Sequence, residues 1–157
     1  MVTISEYFDK VYIITIPDSV TSIGDQAFQR CASLTSITIP AGVTSISEWV
    51  FAECSSLTSV TIPTGVTSIG TRAFVECSSL TSITIPASVT SISEWVFTGY
   101  YTSNLIVTCL AVTPPSFGQK VFGDWGISQI KVPAARVTAY KAASGWSDFA
   151  DKISAIN

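Results

Sequence analysis

The nine-residue string VTSISEWVF occurs twice in the chain, at 43–51 and at 89–97. Between the copies, at 66–74, stands VTSIGTRAF, and VTSIGDQAF stands at 20–28. Successive copies therefore open at Val20, Val43, Val66 and Val89, at half the spacing of the identical strings, and two versions of one unit alternate. Four consecutive units begin at Val11, Leu34, Leu57 and Leu80. Proline recurs at Pro17, Pro40, Pro63 and Pro86, isoleucine at Ile23, Ile46, Ile69 and Ile92, and phenylalanine at Phe28, Phe51, Phe74 and Phe97. A unit this short cannot bury its apolar side alone, so the units must stack, each burying a face against its neighbours.

Within a unit, SITIP is a short alternating segment of β-branched residues and predicts a strand. Ile37 and Ile39 point to one side, Ser36 and Thr38 to the other. Proline ends the strand, because it cannot donate to a ladder. Stacked about 4.8 Å apart, these strands form a parallel sheet with Leu, Ile and Val inside. Val43 and Ile46 are expected to turn the chain, and Phe51 or Phe74 to fill the outer arc. One short strand per unit, at a period of roughly 20–29 residues, is the signature of a leucine-rich-repeat solenoid.

The units resemble the BspA-type leucine-rich repeats of bacteria, whose pattern runs L-x-x-I-x-I-P-x-x-V-x-x-I-x-x-x-A-F-x-x-C. The match extends over residues 11–99 without a gap, and the closing stretch from Ile130 to Ile156 is similar to the end segment common in that family. The resemblance implies an α/β solenoid rich in β-structure, curved and right-handed, with a parallel sheet and a C-terminal helical cap. It also implies adhesion or protein recognition rather than catalysis, an extracellular or cell-surface location, and a protein partner from a host or the extracellular space. It offers no catalytic residue and no cofactor to carry over.

The chain reads as one domain over residues 1–157: a partial repeat at 1–10, four repeats at 11–103, an irregular rung and loop at 104–133, and a cap at 134–157. VTISEYF at 2–8 echoes the repeat, so the chain begins within a rung; either Tyr7, Phe8 and their neighbours form a lid or further repeats precede them. The pattern fails at 98–104, where Tyr100 replaces the recurrent cysteine. Residues 113–123 read as turn and loop and QIKVP at 129–133 as the last strand. AARVTAYKAAS reads as a helix with Gly145 as its C-cap, and a second short helix begins at Ser147.

Cys31, Cys54 and Cys77 stand one repeat apart, and Cys109 follows. Zinc requires short paired spacings that this chain lacks. Adjacent rungs lie within disulfide reach, but side chains stacked in parallel disfavour the required dihedral near 90°. A row of free, buried thiols is the favoured reading.

Two faces are candidates for partner binding. Trp49 and Trp95 occupy a column that also accepts Gln26 and Arg72, hence a surface column. Arg72 is expected to lie one rung from each indole, flanked by Glu48 and Glu94, and to brace the outer arc or to form with both indoles an interface anchor. Arg30 should pair with Glu53. The second face is the concave sheet, with Ser36, Ser59 and Ser82 in one row with Ile13, and Thr38, Thr61 and Thr84 in the next with Thr15. Hydroxyl rows that match a lattice of ice or carbohydrate are a third, weaker reading.

The chain has no histidine, which removes the commonest general base and neutral metal ligand. The Gly residues sit at repeat turns rather than in a phosphate loop. Enzymatic activity and a cofactor are not expected. The net charge is −3, and charged residues make up 12%, about half the roughly 25% usual for soluble domains, which argues against a nucleic-acid partner. No apolar run suits membrane insertion. Self-association through the N-terminal rung stays open, because exposed strand edges invite it, as does the alternative of a spacer with no ligand of its own.

Overall fold

The computed structural model describes residues 13–99, 105–123 and 126–156. The readings placed on 1–10, on Tyr7 and Phe8, and on Tyr100 lie outside these residues. In chain order the strands are β1 (Ile13–Thr15), β2 (Ser36–Thr38), β3 (Ser45–Ile46), β4 (Ser59–Thr61), β5 (Ser68–Ile69), β6 (Ser82–Ile85), β7 (Ser91–Ile92), β8 (Leu105–Cys109), β9 (Ser116–Phe117), β10 (Ile127–Val132) and β11 (Ile153–Ala155). They form a parallel-sheet solenoid of about six turns with a short C-terminal helix.

One sheet has seven strands in the order β1-β2-β4-β6-β8-β10-β11, all parallel. Its register keeps the repeat interval: Ser36 opposite Ser59, Ile37 opposite Val60, Thr61 opposite Thr84. Ile46 does more than turn the chain. The pairs Ser45–Ile46, Ser68–Ile69, Ser91–Ile92 and Ser116–Phe117 stack into a second parallel sheet of four strands, so each rung has two ladder sides.

The third side is a wall of turns. The N–H of Phe28 donates to Val50 O at 2.9 Å, Phe51 to Ala73 O at 3.0 Å, Phe74 to Val96 O at 3.1 Å and Phe97 to Val121 O at 2.8 Å. Along this wall φ is positive at Gln26, Trp49, Arg72, Trp95 and Lys120 in one column, and at Arg30, Glu53 and Glu76 in the next. None is β-branched, the side-chain class for which this conformation is worst. Behind the wall the rings of Phe28, Phe51, Phe74, Phe97 and Phe122 stack at 5.4–5.6 Å with interplanar angles of 4–21°.

Phe122 is thus the fifth ring of a column that runs through the segment expected to be loop. Two inserted residues conceal it. Ile85 pairs with Cys109, one position beyond the repeat interval, whereas Ser91 pairs with Ser116 and Phe97 with Phe122, two positions beyond it. One extra residue therefore enters between Phe97 and Leu105 and another between Cys109 and Ser116. The reading of the four cysteines as one line is corrected too, since Cys109 is not in the line of Cys31, Cys54 and Cys77. It sits in the seven-stranded sheet beside Ile85.

β10 is not the last strand, because Ile153–Ala155 adds β11 to its free edge. Between them, a 3-10 turn (Ala134–Arg136), helix α1 (Val137–Ala142) and a second 3-10 turn (Trp146–Phe149) fold over the core. Tyr140 and Trp146 are fully buried there. Each anchors the cap to the inserted segment: Tyr140 O–H donates to Ala111 O at 2.9 Å, and Trp146 Nε1–H to Pro115 O at 2.9 Å. Pro115 aligns with Thr90, whose carbonyl accepts the Ser116 N–H of the following rung. The indole therefore takes the place of a missing rung. Gly145 is not the C-cap of α1, which is Ala143 in extended geometry. Gly145 has φ +79°, and a Cβ there would lie 2.5 Å from Phe117 Cδ1, so only glycine lets the cap seat.

Candidate functional site

The outward face of the seven-stranded sheet carries the two hydroxyl rows. Ser36, Ser59 and Ser82 continue from Ile13 and lead to Ile106; Thr38, Thr61 and Thr84 continue from Thr15 and lead to Thr108. All six central hydroxyl residues are exposed except Ser36, which is half-buried. Among the described residues none of the six makes a side-chain hydrogen bond. Hydroxyls elsewhere behave differently. Thr58 donates to Thr35 O at 3.1 Å, Thr67 to Thr44 O at 3.3 Å, Thr90 to Thr67 O at 3.2 Å and Ser78 to Ser55 O at 3.3 Å. Those side chains reinforce the ladders at the corners. The sheet-face hydroxyls project away from their own backbone ladder and keep their hydrogen-bonding capacity for something outside it.

The indole column is assembled as the repeat implies and extends one member further. The Arg72 guanidinium carbon lies 4.7 Å from the Trp49 ring centre and 5.7 Å from that of Trp95. Lys120 Nζ lies 4.9 Å from the Trp95 ring centre on the next rung. Trp95 thus lies between two cations, and Trp49 has Arg72 over it. Lys120 escapes sequence reasoning because the insertions push it two places past the position that the repeat interval assigns after Trp95. Its signal is the Phe122 that follows at the repeat's own offset of two. Both indoles and Arg72 are half-buried. Glu48 and Glu94 do not pair with Arg72, whereas Arg30 Nε pairs with Glu53 Oε2 at 3.1 Å. At 70% and 40% side-chain exposure that pair contributes little.

The four thiols are free and buried. Cys54 Sγ donates to Phe28 O and Cys77 Sγ to Phe51 O, both at 3.1 Å, while Cys109 Sγ accepts the Tyr140 hydroxyl at 3.2 Å. Burial pushes Cys54 up to about 12 from an ordinary 9.0, raises Cys77 well above 9.0, and raises Cys31, Cys109 and the Tyr140 phenol. A group bound more tightly to its proton when folded stabilises fully below its unfolded pKa and loses that contribution as pH rises through the folded value. The melting temperature should therefore fall between about pH 9 and pH 12 as these thiols are driven to ionise. Cys77→Ala should make the fall shallower in a thermal-melt series across that range; an unchanged slope would exclude the thiol as its source.

Among the described residues no group of three or more His, Cys, Asp or Glu side chains could hold a metal ion, and no helix is long and apolar enough to cross a membrane. A hollow of about 960 Å³ is an open groove between the fifth turn of the wall and the cap. It adjoins neither candidate face among the residues that line it, apart from Lys120.

Residues 6–125 match the family model described as BspA type leucine rich repeat region, in 6 copies. Similar solved structures include three leucine-rich repeat proteins. A leucine-rich repeat protein from Bacteroides ovatus shares 32% identity at a TM-score of 0.66, covering 80% of this chain and 32% of that one. A leucine-rich repeat protein from Bacteroides capillosus shares 30% at 0.54, covering 62% and 78%. The T. pallidum leucine rich repeat protein shares 24% at 0.68, covering 78% and 59%, a likeness of fold alone. The chain thus spans about a third of the first of these relatives and 59% of the T. pallidum protein. No curated protein matches the chain.

Proposed function

Because the chain belongs to the BspA-type leucine-rich repeat family, we propose that it is a non-catalytic recognition or adhesion module that meets a protein partner through the outer face of its seven-stranded sheet, at the cell surface or outside the cell. The observation that carries this reading is the contrast between hydroxyls. Those of Ser36, Thr38, Ser59, Thr61, Ser82 and Thr84 have no intramolecular partner among the described residues, whereas Thr58, Thr67 and Thr90 are engaged by backbone carbonyls. A face of small, uncommitted hydrogen-bonding groups suits a partner that brings its own large side chains. The Trp49–Arg72–Trp95–Lys120 column is a brace instead. Its cations already lie over its rings, each contact worth about 0.5–1 kcal/mol at an exposed site.

The two faces separate experimentally. Ser59→Arg with Thr61→Arg should weaken binding to an immobilised panel of extracellular host proteins at least tenfold, about 1.4 kcal/mol, and leave the melting temperature near that of the parent. Trp49→Gln with Trp95→Gln should lower stability by about 2 kcal/mol and leave binding intact. Loss of binding in the indole pair with retention in the sheet pair would reverse the assignment. A panel that retains the parent on no component beyond an inert control would favour a spacer without its own ligand.

A further inference from the structure

Along residues 105–112 the alternation of a strand runs on past the end of β8. Leu105, Val107, Cys109 and Ala111 are buried, Ile106 and Thr108 are half-buried, and Leu110 and Val112 are exposed on that same outward side. In the regular units a proline stops the strand at this point. Here Cys109 pairs with Ile85, so Leu110 stands where Pro86 stands one rung back. Its N–H donates to Ile85 O at 2.9 Å, a bond that proline cannot make. The sheet face therefore ends, on this rung, in an apolar ledge. Among the described residues the exposed large hydrophobics are Ile13, Leu110 and Val112, and two of the three stand on it. A hollow of about 280 Å³ opens beside the ledge, between Ala87 and Val89 on one rung and Ala111, Val112, Pro114 and Pro115 on the next. No charged residue lines it. The cap fixes its far wall, because Tyr140 and Trp146 donate to the carbonyls of Ala111 and Pro115. The volume falls below the roughly 300–1,000 Å³ of small-molecule pockets and suits one branched or aromatic side chain.

Charge selects what accompanies that side chain. Lys131 is the one charged residue in the described strands of the seven-stranded sheet. It pairs in register with Thr108, so its backbone stands about 8 Å from that of Leu110, one strand over and two residues back. Lys131, and Arg136 and Lys141 on the cap, make no ion pair among the described residues. From 95 to 147 the sequence holds four cations, Lys120, Lys131, Arg136 and Lys141, against one acid, Asp124, within a chain of net charge −3. We propose that the ledge and its hollow anchor the protein partner of the sheet face: the partner inserts an apolar side chain there and sets a carboxylate beside it, over Lys131. The inference rests on the reading of that face as the binding face. It supplies what the small hydroxyls lack, an apolar anchor in a preformed pocket with a charge to fix its orientation.

The probe is an N-acetylated, C-amidated Leu-Glu dipeptide, titrated to tens of millimolar into isotope-labelled protein. The NMR amide shifts of Val89, Ala111 and Val112 should move together and saturate. The Leu-Gln dipeptide should bind at least threefold more weakly, and Lys131→Gln should weaken the Leu-Glu dipeptide to the same degree. Ala87→Trp, which fills the hollow from an exposed position on its rim, should abolish the shifts at an unchanged melting temperature. No saturable shift at those residues, equal binding of the two dipeptides, or an Ala87→Trp chain that binds as the parent does would each overturn the proposal. So would Val112 shifts that follow protein concentration alone, which would assign the ledge to a second copy. Thr61 lies two strand spacings from Thr108, about 10 Å, beyond the dipeptide's reach. Failure of the probe therefore strikes the anchor alone, and the Ser59 and Thr61 substitutions still test the face.

Discussion

Phe74→Ala should destabilise the protein by about 3–5 kcal/mol, the range for removing a large buried aromatic side chain. Phe74 is wholly inaccessible and lies between Phe51 at 5.4 Å and Phe97 at 5.6 Å, so its loss opens a void in the middle of the ring column. The rungs above and below cannot close over that void, because their separation is held by both sheets and by the wall bonds Phe51 to Ala73 and Phe74 to Val96. Set against the roughly 5–15 kcal/mol of a typical domain, one substitution removes a large share of the stability. In a chain of this length the melting temperature should drop by about 10 °C or more. Phe28→Ala supplies the comparison. Phe28 stacks on a single described ring and retains 6% exposure, so its truncation should be milder. Equal losses at both positions in thermal and denaturant melts would mean that the column is not a continuous stack.

The recurrence of proline, isoleucine and phenylalanine makes the stack of four regular units legible in the sequence, because each residue has one physical duty and repeats it at one interval. The position of Arg72 between two indoles was legible for the same reason: residues of one column must be neighbours one rung apart. What escaped has equally definite causes. The second sheet consists of two-residue strands that exist only through their neighbours, so no local pattern betrays them. Phe122 and Lys120 were hidden by the two residues inserted after Phe97, whereas Cys109, which stands well past the place the interval gives after Cys77, belongs to the strand column of Ile85. β11 is a short strand held by pairing with β10, a tertiary fact. The left-handed turn residues are Gln, Trp, Arg, Lys and Glu where a glycine would have announced the geometry; only the absence of β-branched side chains hints at it. The hydroxyl rows were legible as rows, while their lack of internal partners depends on how each corner carbonyl is oriented and emerges only in three dimensions.

If the chain is a stack of interchangeable coils, its length should be adjustable in whole units and in nothing else. Excision of residues 34–79 removes two complete units and joins Ser33 to Leu80, as Ser79 is joined now. It sets Phe28 against Phe97, Gln26 beside Trp95 and Gly24 beside Ser93, which preserves the alternation of the two unit versions. Excision of residues 34–68 removes one and a half units and puts a turn segment where a strand must pair. Stability in such arrays is a sum of unit and junction terms, so the in-phase chain should lose stability yet melt cooperatively with intact near-ultraviolet dichroism. The out-of-phase chain should show neither a cooperative melt nor that dichroism, although it retains more residues. Matching behaviour of the two shortened chains in that single comparison, whether both folded or both unfolded, would contradict the stacked-coil architecture.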